Sequence, residues 1–248
     1  MTLQEFFVRH PKAALAFSGG VDSAYLLWAA RQYGAQVRPY FIRTCFQPAF
    51  SMADAARLCR ELNMELCVVD VDILAEPAVQ NNPPRRCYHC KTQMFQSLRA
   101  EAQKDGYDCI LDGTNADDNA DDRPGMQALR ELEILSPLRL CGLTKAEIRR
   151  RSREAGLFTW DMPAYACLAT RIPTDTAITP QDLQRIEQAE TALRDLGFDD
   201  LRVRLRGDTA LLQLPESQLE QAIRLRANII DSLKPYFTHV TLDLEARR

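Results

Sequence analysis

The sequence predicts an α/β protein built on a parallel sheet, with a second, smaller α+β domain after it. Short apolar strands alternate with helical patterns from Ala13 to Gly156, which implies βαβ units and a sheet covered on both faces. Two adjacent glycines, Gly19 and Gly20, stand where the first strand gives way to its helix. Past residue 172 the order changes to helix, hairpin, helix, strand. The expected domains are therefore 1–171 and 172–248.

Residues 3–8 suit a short leading helix, and 13–17 a buried strand. The helix that follows covers 22–33, with Gly34 as its C-terminal cap. Strands are expected at 36–42 and 64–71, with a helix at 51–62 between them, where Ala55, Leu58, Cys59 and Leu62 recur at helical spacing. After an irregular stretch, 90–102 reads as a helix and 107–111 as a fourth strand. Thr144 and Glu147 form a capping-box pair opening a basic helix over 145–155, which Gly156 closes; arginines 149–151 read as its solvated face. Residues 158–177 show no period. Thr179-Pro180 then gives a cap followed by proline at the first turn, opening a helix to about residue 196. Residues 201–206 and 210–214 alternate around Gly207-Asp208 as a hairpin. A single amphipathic helix at 217–233 and a strand at 239–244 end the chain.

With 248 residues, 46% hydrophobic and 26% charged, the chain has enough apolar material for a sizeable core. No run approaches the ~18–20 apolar residues of a membrane span, and the first residues lack a signal-peptide layout, so a cytoplasmic location is expected. A net charge of −3 and a pI near 5.7 give no overall push toward nucleic acid. Eight cysteines in such a chain argue against a disulfide framework. Cys59, Cys67, Cys109 and Cys141 fit as small core hydrophobes, whereas Cys87, Cys90 and Cys167 do not.

Three stretches carry chemistry. Ser18-Gly19-Gly20-Val21-Asp22-Ser23 joins a strand to a helix; its glycines let backbone N–H groups approach an anion, and the helix N-terminus adds a favourable dipole. No Walker lysine closes this loop. Cys87-Tyr88-His89-Cys90 follows two prolines and two arginines and precedes Lys91. Beside those cations at a helix start, thiolates are expected at neutral pH. The pair suits zinc (with His89 and a distant cysteine), a redox disulfide, or an iron–sulfur cluster. Cys167 stands in the aperiodic segment near Arg171. Two further stretches are ambiguous. Residues 112–125 hold five aspartates and Arg123, suited either to a solvated loop or to holding Mg2+ on a polyphosphate. Arg202, Arg204 and Arg206 share one face of a strand, as surface partners of acids or as forks for a phosphate.

Together SGGVDS, PPRRCYHCK, GTNADDxxDxRPG, ACLATRIP and LRVRLRGD, in this order across residues 13–210, resemble the ATP-dependent sacrificial sulfur transferases, the LarE family. The resemblance implies the PP-loop ATP pyrophosphatase (adenine nucleotide alpha hydrolase-like) fold and a role in making the nickel-pincer nucleotide cofactor of lactate racemase. It implies that a carboxylate of a pyridinium dicarboxylate mononucleotide is adenylated, pyrophosphate leaves, and sulfur replaces AMP to give a thiocarboxylate. Phe17, Ser18, Gly19, Gly20, Asp22, Ser23, Thr114 and Arg123 become ATP-binding residues, with Mg2+ as the companion ion. Lys91, Thr170, Arg171, Arg202 and Arg204 become substrate-binding residues, and Cys167, Asp22 and Glu190 catalytic ones. In single-cysteine members the residue matching Cys167 gives up its sulfur and is left as dehydroalanine. Members with three cysteines are thought to use a [4Fe-4S] cluster, and Cys87, Cys90 and Cys167 match that pattern. Thr170 departs from the serine of many relatives. The expected partners are the small nucleotide substrate, a sulfur donor and identical copies of the chain, with no membrane and no nucleic acid. The alternatives are a PP-loop tRNA thiolase with an iron–sulfur cluster, and a nucleotide-binding protein with a structural zinc site.

Overall fold

The computed structural model describes residues 1–118 and 124–247. Internal contacts group them into two compact units, Met1–Val79 with Arg85–Tyr165, and Gln80–Pro84 with Ala166–Arg248.

In the first unit α1 (Leu3–Arg9) leads into β1 (Lys12–Ala16), α2 (Val21–Gln32), β2 (Gln36–Arg43), α3 (Ala49–Glu61) and β3 (Cys67–Asp70). Next come α4 (Pro77–Gln80, its last residue in the second unit), α5 (Arg86–Lys104), β4 (Ile110–Leu111), α6 (Pro124–Glu131), α7 (Pro137–Leu140) and α8 (Lys145–Glu154). The strands form a parallel sheet in the order β3-β2-β1-β4. Ala13, Ala14 and Leu15 of β1 are fully buried, and the two small alanines let covering helices sit close to the sheet. One core, with Phe6, Leu15, Leu26, Leu27 and Leu58, lies on one face; another, with Ala14, Tyr40, Phe95, Leu98 and Ile110, lies on the other. This is the doubly covered parallel sheet expected, with its β–α loops at the carboxyl edge.

In the second unit α9 (Pro180–Asp195) packs on the hairpin β5 (Arg202–Arg206) and β6 (Thr209–Gln213). Thr179 caps α9 by accepting from the Asp182 N–H at 3.1 Å. Helices α10 (Glu216–Arg224) and α11 (Arg226–Leu233) follow, and β7 (His239–Leu242) pairs parallel to β6. The Gln80–Pro84 segment is tied into this unit. The Asn82 side chain donates to the Pro173 carbonyl at 2.8 Å, and Asn82 and Gln80 carbonyls accept from Asp175 and Ile178 N–H.

Several local expectations change. The thiol-bearing helix starts at Arg86 and not at Cys90, so Cys87 lies on its first turn instead of ahead of it. The expected helix at 217–233 breaks at Leu225 into α10 and α11. Helices α6 and α7 lie where no element was expected. At α8 Thr144 caps the Glu147 N–H, but the Glu147 carboxylate turns to Arg150 and Arg151 instead of closing a reciprocal box. Arg149 is not on a solvated face, since it donates to the Trp160 and Met162 carbonyls at 2.7 and 2.6 Å.

Candidate nucleotide and thiol site

The site begins at the carboxyl end of β1. Phe17 is buried and donates its N–H to the Tyr40 carbonyl, fixing where the strand ends. Gly19 has φ +77°, and a Cβ there would stand 3.0 Å from the Ala55 nitrogen and 3.1 Å from the Ser51 carbonyl oxygen. Only glycine fits a left-handed residue pressed on the α3 backbone. Gly20 is the N-cap of α2, and no side chain caps that helix. Its first N–H groups are left for an anion. The Ser18 and Ser23 hydroxyls lie 3.2 Å apart, and Ser23 donates to the Gly20 carbonyl, which holds the loop closed on itself.

The Asp22 carboxylate has two unlike oxygens. Oδ2 accepts from Lys145 Nζ at 2.6 Å, at the start of α8. Oδ1 is buried with no hydrogen-bond partner among the described residues. An unsatisfied buried carboxylate oxygen costs free energy unless a cation or donor takes it, so this residue fits a Mg2+ carried in with a polyphosphate. Neighbouring Asp112 is already satisfied: its oxygens accept from Ser136 Oγ at 2.6 Å and from the Thr114 hydroxyl. Its role is to set Thr114. Gly113 has the Ser23 nitrogen 3.1 Å from where a Cβ would stand, so this loop lies directly against the first turn of α2.

A cavity of about 650 Å³ opens above these groups. Ser18, Gly20, Asp22, Ser23 and Thr114 form one part of its lining, and Cys87 and Lys91 of α5 another. Lys91 packs on α6 where Gly125 leaves room, with its Cδ 3.0 Å from the position of a Cβ there. Tyr40, Phe41, Phe95 and Tyr165 supply aromatic lining. Tyr165 is set edge-on to Phe50, with centroids 5.0 Å apart. The anion cradle and a thiol thus share one cavity.

The other predicted residues are placed as follows. Cys90 is half-buried with its Sγ 3.5 Å from Met94 Sδ. Arg123 lies outside the described residues. Cys167, Thr170, Arg171, Glu190, Arg202 and Arg204 all belong to the second unit. Arg171 and Glu190 form an ion pair with both side chains fully buried, at 2.8 Å. Glu190 Oε1 also accepts from the Val203 N–H at 3.0 Å. Arg204 donates to the Thr170 carbonyl at 2.8 Å and to Gln213; burial, and then Arg171 and Arg206 beside it, push its pKa down. Arg202 is buried, donating to the Leu201 carbonyl at 2.7 Å, whereas Arg206 is exposed. The arginine stripe is thus graded from inside to outside.

The remaining thiols follow their packing: burial pushes Cys59 up to about 12 and raises Cys67, Cys109 and Cys141. Among the described residues no group of three or more His, Cys, Asp or Glu side chains is gathered to hold a metal ion. Sequence reasoning missed Lys145 and Gln47. Lys145 had a signal in its place directly after the Thr144 cap. Gln47, in an irregular loop, had none.

The SGGVDS loop ahead of a helix without a side-chain N-cap, on a central strand of a parallel sheet, is the arrangement of the PP-loop fold. An uncharacterized protein of Synechocystis sp. is 34% identical over 98% of this chain and 92% of its own length. The pyridinium-3,5-bisthiocarboxylic acid mononucleotide synthase of Lactiplantibacillus plantarum is 29% identical over 94% of this chain and 86% of its own. The chain belongs to the LarE family of ATP-dependent sacrificial sulfur transferases. The tRNA-specific 2-thiouridylase of Thermotoga maritima is more distant, at 26% over 59% of this chain and 52% of its own length. No protein-family model matches. No helix among the described residues is long and apolar enough to cross a membrane.

Proposed function

We propose that this protein adenylates a carboxylate of a pyridinium dicarboxylate mononucleotide with ATP, releases pyrophosphate, and replaces AMP by sulfur to give a thiocarboxylate. The observation that carries the reading is the shared cavity: the cradle at Ser18, Gly20 and Ser23 and the thiol of Cys87 line the same space. An ammonia-using ligase would need the cradle but not the thiol.

In this reading the open N-terminus of α2 and the Ser18 and Ser23 hydroxyls hold the β- and γ-phosphates, and Asp22 holds Mg2+ through its orphan oxygen. A substrate carboxylate oxygen attacks the α-phosphorus, the bond to the bridging oxygen breaks, and pyrophosphate departs with that electron pair. Lys91, on the cavity wall, neutralises charge on the substrate. A sulfur nucleophile then attacks the acyl carbon and AMP leaves. By the family likeness alone, Cys87, Cys90 and Cys167 are the thiols that would take a [4Fe-4S] cluster, which would supply the transferable sulfur; the first two stand three positions apart on α5. The anion of the nucleotide substrate is assigned to Arg202 and Arg204, and the lactate racemase cofactor is the product's destination.

Anaerobic purification with iron and sulfide analysis, joined to a pyrophosphate-release assay, tests this. Iron, sulfide and substrate-dependent pyrophosphate release together are expected. Stoichiometric zinc with no pyrophosphate release would overturn the reading. The likeness to a 2-thiouridylase supports a second reading, thiolation of a tRNA base, which salt-sensitive tRNA binding would favour.

A further inference from the structure

We infer that Arg171 and Glu190 are positioning residues for the Cys167 turn and do not touch the substrate. The inference rests on the reading above, in which Cys167 takes part in sulfur delivery, but its geometry stands alone. Arg171 is the largest fully buried side chain among the described residues, and Glu190 is equally inaccessible. A guanidinium so placed is costly to bury, and the cost is offset only when it is paired and its donors are used. Every donating nitrogen is engaged. Nε and Nη2 fork onto the two Glu190 oxygens at 2.8 and 3.2 Å. Nη1 faces the Ala166 carbonyl at 2.7 Å, the Cys167 carbonyl at 3.2 Å and the Thr170 hydroxyl at 2.8 Å.

Other bonds join this grip at the Cys167 carbonyl. The Cys167 oxygen also accepts from the Thr170 N–H at 3.0 Å and from the Thr170 hydroxyl at 2.8 Å. Cys167 is the N-cap of the short 3₁₀ turn Leu168–Arg171, so these bonds set the direction of its Cα–Cβ bond. Arg204 holds the same turn from outside through the Thr170 carbonyl. Glu190, for its part, sits on α9 and is anchored by the Val203 N–H of β5. The chain of contacts runs from a rigid helix and strand, through one ion pair, to the backbone of the cysteine. A thiol on an aperiodic segment is thereby given the fixed geometry that chemistry on its sulfur requires. Thr170 keeps its place for the same reason: the turn uses its hydroxyl and not the extra methyl.

The test uses the full chain carrying Arg171→Met with Glu190→Gln. This neutral pair avoids leaving a buried charge, and the substituted amide oxygen can still accept from the Val203 N–H. Amide hydrogen exchange over residues 166–171 is expected to rise about tenfold or more, with α9 within about threefold of wild type. The kcat for sulfur insertion is expected to fall about tenfold or more, while KM for the nucleotide substrate stays within about twofold. Glu190→Gln alone leaves the Arg171 charge buried without its counter-charge, so protection over 166–171 is expected to fall at least as far as in the double variant. Unchanged exchange over 166–171 overturns the inference whatever the activity does. A raised KM at unchanged kcat overturns it too, by making the pair a substrate contact. If the wild type forms no thiocarboxylate, the proposed function fails, and the exchange result still decides the positioning role.

Discussion

Asp22 carries its chemistry in the contrast between its oxygens, one neutralised by Lys145 and one buried and unclaimed. Asp22→Asn removes the charge that a phosphate-bound cation needs, and pyrophosphate release is expected to fall about 100-fold or more in a coupled assay; retention of full activity would sink the Mg2+ assignment. Gly19→Ala meets both a left-handed backbone and three backbone atoms of α3. It is expected to cost about 1–3 kcal/mol in thermal unfolding and to raise the KM for ATP. The cradle was legible because its glycines, hydroxyls and carboxylate are contiguous, so chemistry and position are written together. The Arg171–Glu190 pair was not. Its members are 19 positions apart, and no local pattern says that a charged residue of a helix faces inward to meet an arginine of an aperiodic turn.

Among the elements, α8 matters because it delivers Lys145 to Asp22. Thr144 caps that helix, and Thr144→Ala is expected to lower stability by about 1 kcal/mol, read in thermal unfolding. Glu147 gives the helix a pH signature. Hydrogen bonds from Arg150 and Arg151 hold its pKa down at about 2, from an ordinary 4.5. A depressed carboxylate stabilises fully above its unfolded value and loses that contribution as pH falls through the folded one. Its effect is therefore present above pH 4.5 and gone below about 2, and Glu147→Gln is expected to flatten the acid limb of the unfolding midpoint against pH in that window. Strands β1 and β2 were legible from short apolar runs, as was α9 from its cap and proline. The start of α5 was not, because prolines and arginines ahead of Cys87 read as loop, although proline readily precedes a helix start. Helix α6 was hidden by the aspartates and glycine around it.

At the scale of the whole molecule, each unit has its own sheet, and the second takes a piece of chain from within the first: Gln80–Pro84. A fragment of residues 166–248 would lack the Asn82 side chain on Pro173 and the carbonyls that receive Asp175 and Ile178 N–H. It is expected to show weaker amide-exchange protection over 172–178 than the intact chain, and equal protection would show that the segment is dispensable. The parallel sheet could be inferred from the alternation of elements, but this excursion could not. Five residues with no period carry no sign of which core they join.

The same excursion bears on how such a chain can be recombined. Exchange of the smaller unit with that of a relative, cut once near residue 166, would pair the new Pro173 carbonyl with an Asn82 from the other parent. A viable chimera must transplant two stretches, 80–84 and 166–248, so inheritance of this unit takes three breakpoints. The first stretch ends directly before the helix of Cys87 and Cys90, and the second opens on Ala166-Cys167. Two of the three graft junctions therefore fall within three residues of a cysteine, and libraries of hybrids should lose sulfur chemistry at those seams before they lose the fold.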